Sequence, residues 1–412
     1  MTPEIKHRIE QIRRGEVPEG YQYTRYGIYP IGWTVKKIGD CIEEYRKLSN
    51  DIQSFPVYSS SRKGLMPQSE YYDQKKAEET NLGYKIVPNG YVTYRHMSDD
   101  DVFHFNINQT GGNILVSSEY PVFTSVNGVA LGFLIPALND TTRFRYFCRT
   151  QKLGGTRTRL YLKNLSQYHL GVPCFEEQHE IAAILTTQDK VIELKEKRLA
   201  EKQRQKKHLM QQLLTGKKRL PGFSGAWKGD RLGKLFLERK ETNCEGLEML
   251  AITGTQGIIP RKELDLKDNS SEDKSKYLRV CVGDIGYNTM RMWQGVSAYS
   301  NYEGIVSPAY TILKPSSSIN AKYFAYLFKM PEIISLFYRF SQGLVDDTRN
   351  LKYENFKKIK VFYPTDINER TAITDVLSAA DREIDLLRQD IEQEKQKKKA
   401  LMQLLLTGIV RV

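Results

Sequence analysis

The chain contains the stretch KKHLMQQLLTG at residues 206–216 and repeats it near its end as KKALMQLLLTG at residues 398–408. The two copies lie 192 residues apart. Recurrence at a fixed offset is typical of proteins built from similar units that pack against one another. The sequence therefore predicts two similar halves.

Each copy closes a segment in which apolar residues recur in steps of three and four, from Ile181 to Leu213 and, more regularly, from Ile373 to Leu405. This spacing predicts two long helices with a heptad seam, the first from about residue 178 to residue 214. Polar residues interrupt the seam at Gln188, Lys195, Lys202, Lys206, Glu394 and Lys398. We expect each helix to end at a glycine in the left-handed conformation, Gly216 or Gly408.

The segments outside these helices are rich in Tyr, Phe, Val, Thr, Gly and Pro, in short runs separated by turn signals. Such runs predict a mixed, strand-rich domain in each half. The two domains share landmarks at nearly constant offset: Trp33 with Trp227, Gly64 with Gly257, Tyr84 with Tyr277, Gly90 with Gly283, Tyr94 with Tyr287, and Pro173 with Pro364. Most loop residues between them differ, so one fold carries two different surfaces.

The predicted class is α+β, with two similar strand-rich domains separated by two long helices. The predicted segments are an N-terminal helical segment at 1–20, domain 1 at 21–175, a long helix at 176–218, domain 2 at 219–366 and a second long helix at 367–412. The N-terminal segment is a fainter third copy of the helix ending, in which Gly15 corresponds to Gly216. Thr2 followed by Pro3 favours a helix start.

Composition limits the possible function classes. Lys and Arg number 62 against 49 Asp and Glu, a formal charge of +13, which favours a polyanionic partner such as nucleic acid or an acidic protein. Five scattered cysteines without a C-x-x-C pair indicate neither a disulfide framework nor a zinc ribbon, and they fit a reducing cytoplasm. The longest near-apolar run, residues 126–138, is too short to span a bilayer, and no signal peptide is expected.

Four motifs carry a family resemblance: the repeated LMQxLLTG ending, VGDI at 282–285 running into NTMR at 288–291, IVSPAY at 305–310, and DTR at 347–349 leading to Pro364. On these motifs, and over essentially its whole length, the chain resembles the DNA specificity subunits of type I restriction-modification systems. The resemblance implies two target-recognition domains that each read one half of a bipartite DNA sequence. It also implies that the long helices pack as an antiparallel coiled coil, act as a spacer and dock the modification subunits.

The resemblance further implies three kinds of partner: double-stranded DNA, two DNA methyltransferase (modification) subunits, and restriction (translocase and endonuclease) subunits. No cofactor is expected on this chain, because S-adenosylmethionine, ATP and magnesium would belong to the partner subunits. No two prolines are adjacent, so the Asn/Asp-Pro-Pro-aromatic motif of amino-methylating enzymes is missing, and no phosphate-binding GxxxxGK[ST] motif occurs. We therefore expect a non-catalytic recognition subunit with no catalytic residue.

Candidate DNA-binding residues fall in three loop regions of each domain. The loop YSSSRKG at 58–64 combines hydroxyls and cations suited to phosphate oxygens and guanine edges, although a solvated turn has the same composition. Its counterpart TGTQG at 253–257 offers an amide suited to adenine. The predicted residues of domain 1 are Ser60, Arg62, Lys63, Arg95, His96, Arg157 and Arg159. Those of domain 2 are Thr255, Gln256, Asn288, Arg291, Gln294, Thr348 and Arg349.

Two of these regions have alternative interpretations. Beside Arg349, Asp346 and Asp347 favour a structural Asp-Arg pair over a phosphate contact. His96, Asp99, Asp100, Asp101 and His104 are the only cluster that resembles metal ligands, but they lack a defined spacing and a counterpart in domain 2, so no metal site is predicted.

The stretch from Lys190 to Arg219 carries eleven Lys or Arg against three Glu. This basic face is suited to solvent, to DNA or to an acidic partner, and the sequence leaves these open.

Two other functions compete with DNA recognition. One is a self-contained modification enzyme or nuclease with a divergent active site, which activity with S-adenosylmethionine or magnesium would reveal. The other is a coiled-coil scaffold with two ligand-binding domains that never touches DNA. Sharp salt dependence of duplex binding would argue against the scaffold.

Overall fold

Both repeated stretches end helices of 39 residues, Phe175–Leu213 and Ile367–Leu405, here called the first and second long helix. At 1.5 Å per residue each is about 58 Å long. The first helix begins three residues before the predicted position. The predicted left-handed glycines are confirmed, since Gly216 and Gly408 both have φ of +71°.

The computed structural model describes residues 2–49, 51, 53–68, 83–152, 156–254, 257–264, 273–317 and 319–412. These fall into two units. Unit 1 holds residues 1–196 and 390–412, and unit 2 holds residues 197–389. Each unit therefore contains one strand-rich domain together with a segment of each long helix.

Domain 1, in unit 1, is built on an antiparallel four-stranded sheet. In spatial order its strands are Phe105–Ile107, Val92–Tyr94, Val122–Ser125 and Ile42–Glu44. The remaining strands are Tyr21–Thr24, Gly27–Pro30, Thr34–Lys37, Leu48–Ser49, Tyr58–Ser61, Gly64–Pro67, Tyr84–Val87, Met97–Ser98, Ile114–Ser117, Thr158–Arg159 and His169–Val172. The shorter helices are Pro3–Arg14, Ile38–Cys41, Leu131–Asp140, Thr142–Thr150 and Leu162–Leu165.

Domain 2, in unit 2, repeats this topology. Its four-stranded sheet has the spatial order Ser297–Tyr299, Ile285–Asn288, Tyr310–Pro315 and Phe236–Arg239, so corresponding strands take corresponding places. The remaining strands are Trp227–Arg231, Leu250–Ile252, Ile258–Pro260, Leu278–Val280, Gly304–Val306 and Lys360–Pro364. Its α-helices are Leu232–Leu235, Ala321–Leu327, Pro331–Phe340 and Tyr353–Phe356, with 3₁₀ turns at Arg261–Glu263, Met292–Gln294 and Asp346–Thr348.

Each domain has an aromatic core beneath its sheet. The landmark tyrosines Tyr94 and Tyr287 are fully buried on equivalent central strands. Tyr94 packs against Phe105 with ring centroids 4.4 Å apart, and Tyr287 packs against Phe356 at 5.4 Å. The landmark tyrosines Tyr94 and Tyr287 are therefore equivalent core positions, while the landmark glycines at 64, 90, 257 and 283 are positions with positive φ.

Within each unit the two helix segments run antiparallel, and polar seam residues pair across them. In unit 1, Gln188 donates to the Glu394 carboxylate at 2.6 Å and the Lys195 ammonium lies 2.9 Å from the same carboxylate. In unit 2, Lys202 lies 2.8 Å from Glu383 and Lys206 pairs with Asp381. Polar pairs at the seam positions of two helices fix their register.

These pairs resolve part of the question left by the basic face. Among the described residues, five of its eleven cations pair with carboxylates of the second long helix: Lys195, Arg198, Lys202, Lys206 and Arg219. The acidic partner of these cations is thus the chain itself.

Both helix endings pack against the landmark tryptophan of a domain in the same unit. A Cβ atom added to Gly216 would lie 3.1 Å from the ring of Trp227, and one added to Gly408 would lie 3.3 Å from that of Trp33. Beyond each glycine an arginine binds a buried glutamate at the start of the other long helix. Arg219 binds Glu369 at 2.6 Å in unit 2.

In unit 1 the matching pair is Arg411 with Glu177, at 2.8 Å. Residues 408–411 therefore pack on domain 1 in the same way as residues 216–219 pack on domain 2.

The N-terminal helix Pro3–Arg14 forms as predicted, with Thr2 capping the amide of Ile5 and Gly15 in the left-handed conformation at φ of +78°. It does not take the place of a helix ending against domain 1, however, because Gly408 occupies that position beside Trp33. Instead the helix contacts the chain end, where Arg8 donates to the carbonyl of Ile409 at 2.7 Å.

Candidate nucleic-acid interface

The three predicted loop regions of domain 1 meet at one place. The strands Met97–Ser98 and Thr158–Arg159 pair antiparallel, which brings the predicted Arg157 and Arg159 beside the segment that follows the central strand. The turn at Arg62 and Lys63, at the tip of the hairpin 58–67, joins them through an ion pair between Arg62 and Asp100. Residues far apart in sequence thus form one basic surface.

A turn of three aspartates organises this surface. Asp100 pairs with Arg62, Asp99 lies 2.8 Å from the Arg157 guanidinium, and Asp101 accepts from the Thr158 hydroxyl. The hydrogen bond from Arg62 lowers the pKa of Asp100 to about 2. The guanidiniums are held in place by carboxylates while both arginine side chains remain more than half exposed.

The exposed Arg95 and Arg159 have no ion pair among the described residues, so their charges remain available to an anionic ligand. Arg62, Lys63, Arg95 and His104 contribute to the lining of a cavity of about 480 Å³ next to the aspartate turn. Burial lowers the pKa of His104, which makes the neutral imidazole the favoured form at neutral pH.

Two predicted residues of domain 1 are buried behind this surface. Ser60 is 3% exposed, and its hydroxyl accepts a hydrogen bond from the Asn106 amide at 2.8 Å. His96 is also 3% exposed and stacks on Tyr161, and its pKa is lowered by burial. Both side chains support the surface from within.

Domain 2 places its central loop equivalently. Asn288 ends the central strand, and its side-chain oxygen accepts from the Met290 amide at 3.0 Å, which shapes the turn into the 3₁₀ segment Met292–Gln294. Arg291 and Gln294 are exposed on that turn. The amide of Leu351 donates to the carbonyl of Thr289 at 2.8 Å.

Domain 1 has the matching hydrogen bond, in which the amide of Leu160 donates to the carbonyl of His96 at 2.8 Å. The two candidate surfaces therefore share one backbone arrangement, here called the frame, and carry different side chains on it.

Arg349 is more enclosed than its counterpart Arg157. Its side chain is 13% exposed, pairs with Asp346 at 3.3 Å and lies 4.0 Å above the ring of Tyr338. Neighbouring Thr348 is exposed, and its hydroxyl donates to the carbonyl of Val345. The pair of Arg349 with Asp346 is the structural Asp-Arg pair that the sequence favoured, and the Tyr338 ring packs against the same guanidinium. The predicted Thr255 and Gln256 lie outside the described residues.

Sequence reasoning missed the partners of the arginines. The aspartates at 99–101 were considered from the sequence as metal ligands, and the sequence could not pair them with Arg62 and Arg157, which lie 38 and 58 residues away along the chain. Tyr338 and Trp293, which contact Arg349, were not among the predicted site residues. A comparison of equivalent positions in the two halves was the available signal, since Arg157 and Arg349 both follow a threonine.

The family described as the Type I restriction modification DNA specificity domain has a sequence profile that matches residues 30–203. A full-length relative agrees with it. The protein named "putative type I restriction enzyme MjaX specificity subunit" of Methanocaldococcus jannaschii is 24% identical, with 96% of this chain and 97% of the relative covered. Residues 30–203 thus carry a type I restriction modification DNA specificity domain, and the whole chain is similar to a type I specificity subunit.

Solved structures of this family share the fold. The type I restriction-modification S subunit of M. genitalium aligns with a TM-score of 0.54 at 12% identity, covering 91% of this chain and 96% of that one. A chain from a structural study of assembly and conformational transition of the type I system aligns equally well, at 14% identity over 93% and 99% of the two chains. Among the described residues, no helix of this chain is long and apolar enough to cross a membrane.

Proposed function

We propose that domain 1 and domain 2 each read one half of an asymmetric, bipartite double-stranded DNA target. The observation that carries this proposal is that the two domains share one frame, including the matched backbone hydrogen bonds at Thr289 and His96, yet present different side chains on it. Equivalent frames would dock on DNA in equivalent ways, and different side chains would select different bases.

The roles of the individual residues follow from their exposure. Arg95 and Arg159 in domain 1, and Arg291 and Gln294 in domain 2, are exposed donors suited to base edges or phosphates. Arg62, Lys63 and Arg157 are suited to the DNA backbone. Ser60, His96, Asn288, Thr348 and Arg349 support these donors. The sequence-based proposal for Thr255 and Gln256 stands as an adenine-reading turn.

The chain would act in the cytoplasm without catalysis of its own. Two modification subunits would supply methyl transfer with S-adenosylmethionine, and restriction subunits would supply ATP-driven translocation and magnesium-dependent cleavage. In this arrangement the specificity subunit only chooses the sequence.

Duplex binding by the purified chain tests the proposal. We expect binding to a target-containing duplex to weaken steeply as salt rises, since Lys and Arg contacts release counterions from DNA. The same preparation should show no methyl transfer with S-adenosylmethionine and no cleavage with magnesium. Methyl transfer by the chain alone, or binding that ignores both salt and sequence, would contradict the proposal.

A further inference from the structure

The loop between Gln342 and Asn350 in domain 2 carries two exposed aliphatic side chains at its tip. Leu344 is 99% exposed and Val345 is 58% exposed. Leu344 is the most exposed large apolar side chain among the described residues. Single exposed apolar side chains are common on protein surfaces, so a role for Leu344 depends on how it is held and on which surface it lies.

This tip is fixed by its base. Gln342 and Asn350 exchange backbone hydrogen bonds of 2.8 and 2.7 Å. Gly343 has φ of +122°, and a Cβ atom there would lie 2.6 Å from the carbonyl oxygen of Thr348. The loop is therefore closed so tightly that only glycine fits at this position, and Leu344 is presented by a braced hairpin.

The tip also belongs to the candidate DNA surface. The residue after the loop, Leu351, donates to the carbonyl of Thr289 in the reading segment 288–294. Arg349, at the foot of the loop, lies over the rings of Tyr338 and Trp293. Leu344 is thus an apolar projection on a surface with exposed Arg291 and aromatic rings, whose expected partner is DNA.

We propose that Leu344, supported by Val345, inserts between base pairs of the half-site read by domain 2 and unstacks them. Apolar side chains that project from a basic protein surface are used in this way by proteins that kink DNA. The inference rests on the proposed function of domain 2. It adds a specificity element, because the ease of unstacking depends on the base step.

The test uses the full chain with its modification subunits and a target duplex in which 2-aminopurine replaces single adenines of the domain 2 half-site. Fluorescence of 2-aminopurine rises when the base is unstacked. We expect the wild-type complex to raise it at one step and Leu344→Ser to abolish the rise. Affinity for the target should fall about tenfold, the size of one good base contact, while affinity for unrelated duplex is unchanged.

Leu237→Ser is the matched control, because Leu237 is 61% exposed in the same unit but lies on the strand Phe236–Arg239, far along the chain from the loop. This variant should behave as wild type. A Leu344→Ser complex that unstacks and binds the target as the wild type does would contradict the insertion of Leu344. The proposed function of domain 2 would not be affected by that result. Loss of assembly with the modification subunits at unchanged DNA binding would also contradict the insertion and assign the tip to a protein contact. If the wild-type complex had no sequence preference, the proposed function itself would fail.

Discussion

At the scale of single residues, the aspartate turn of domain 1 occupies guanidiniums that would otherwise be free for DNA. A carboxylate offers an arginine the same acceptor geometry as a phosphate. Because the pKa of Asp100 is lowered from 3.8 to about 2, the stability that its pair with Arg62 contributes is present above pH 3.8 and is lost as the pH falls toward 2. The pair is therefore intact at neutral pH, and under the proposed function a DNA phosphate would have to displace the carboxylate.

We predict that Asp100→Asn strengthens binding to unrelated duplex, because Arg62 loses its internal partner. The slope of log affinity against log salt should steepen by about one, the effect of one additional phosphate contact. Fluorescence anisotropy at several salt concentrations measures this slope. Asp375→Asn removes an equal charge from an exposed site on the second long helix and serves as the control. Equal slopes for the two variants would mean that Arg62 does not contact DNA.

Arg95 and Arg291 provide a test of base reading. If they contact bases, Arg95→Ala and Arg291→Ala should each relax one half-site and leave the other intact, at a cost of about 1–3 kcal/mol of discrimination. Motif mapping by methylome sequencing measures both half-sites in one experiment, so each variant controls for the other. Uniformly weaker methylation of an unchanged motif would assign the two arginines to phosphates.

At the scale of secondary-structure elements, the long helices were predictable because their signals are local. The heptad spacing and the terminal glycines are periodic features of the sequence, and the polar gap at Glu394 already indicated a special seam position. The hydrogen-bond partners of Glu394 were not predictable, because its pairing with Gln188 and Lys195 depends on the antiparallel register of the two helices. The docking of Arg411 on Glu177 likewise joins residues 234 positions apart.

The two buried glutamates at the helix starts should contribute to stability. Glu177 and Glu369 are 3% and 1% exposed and each binds one arginine from beyond a helix ending. We predict that Glu177→Gln and Glu369→Gln each lower the melting temperature, because each substitution breaks an ion pair whose carboxylate is buried.

Differential scanning calorimetry measures the change. Asp385→Asn, which removes an exposed partner of Arg388, should leave the melting temperature unchanged. Equal effects of the buried and exposed substitutions would contradict the role assigned to these junctions.

At the scale of the whole molecule, the repeat predicts that one half can substitute for the other. A chain of residues 1–222 carries domain 1, the first long helix and Arg219, the counterpart of Arg411. Two copies related by a two-fold axis would pack their first helices antiparallel, with Arg219 of each copy on Glu177 of the other. We predict a homodimer that, with the modification subunit, directs methylation to a symmetric target.

Sedimentation velocity reports the dimer of this half-chain. Arg219→Ala in the half-chain should weaken dimerisation, because it removes the proposed junction. A folded half-chain that stays monomeric would show that the halves are not interchangeable.

The most direct test of the central claim is the methylome of a host that expresses this chain together with its modification subunit. Two recognition domains on one frame with different reading surfaces predict a single methylated motif made of two unlike half-sites at a fixed spacing. A symmetric motif, a single undivided motif, or methylation that persists without the modification subunit would contradict the account.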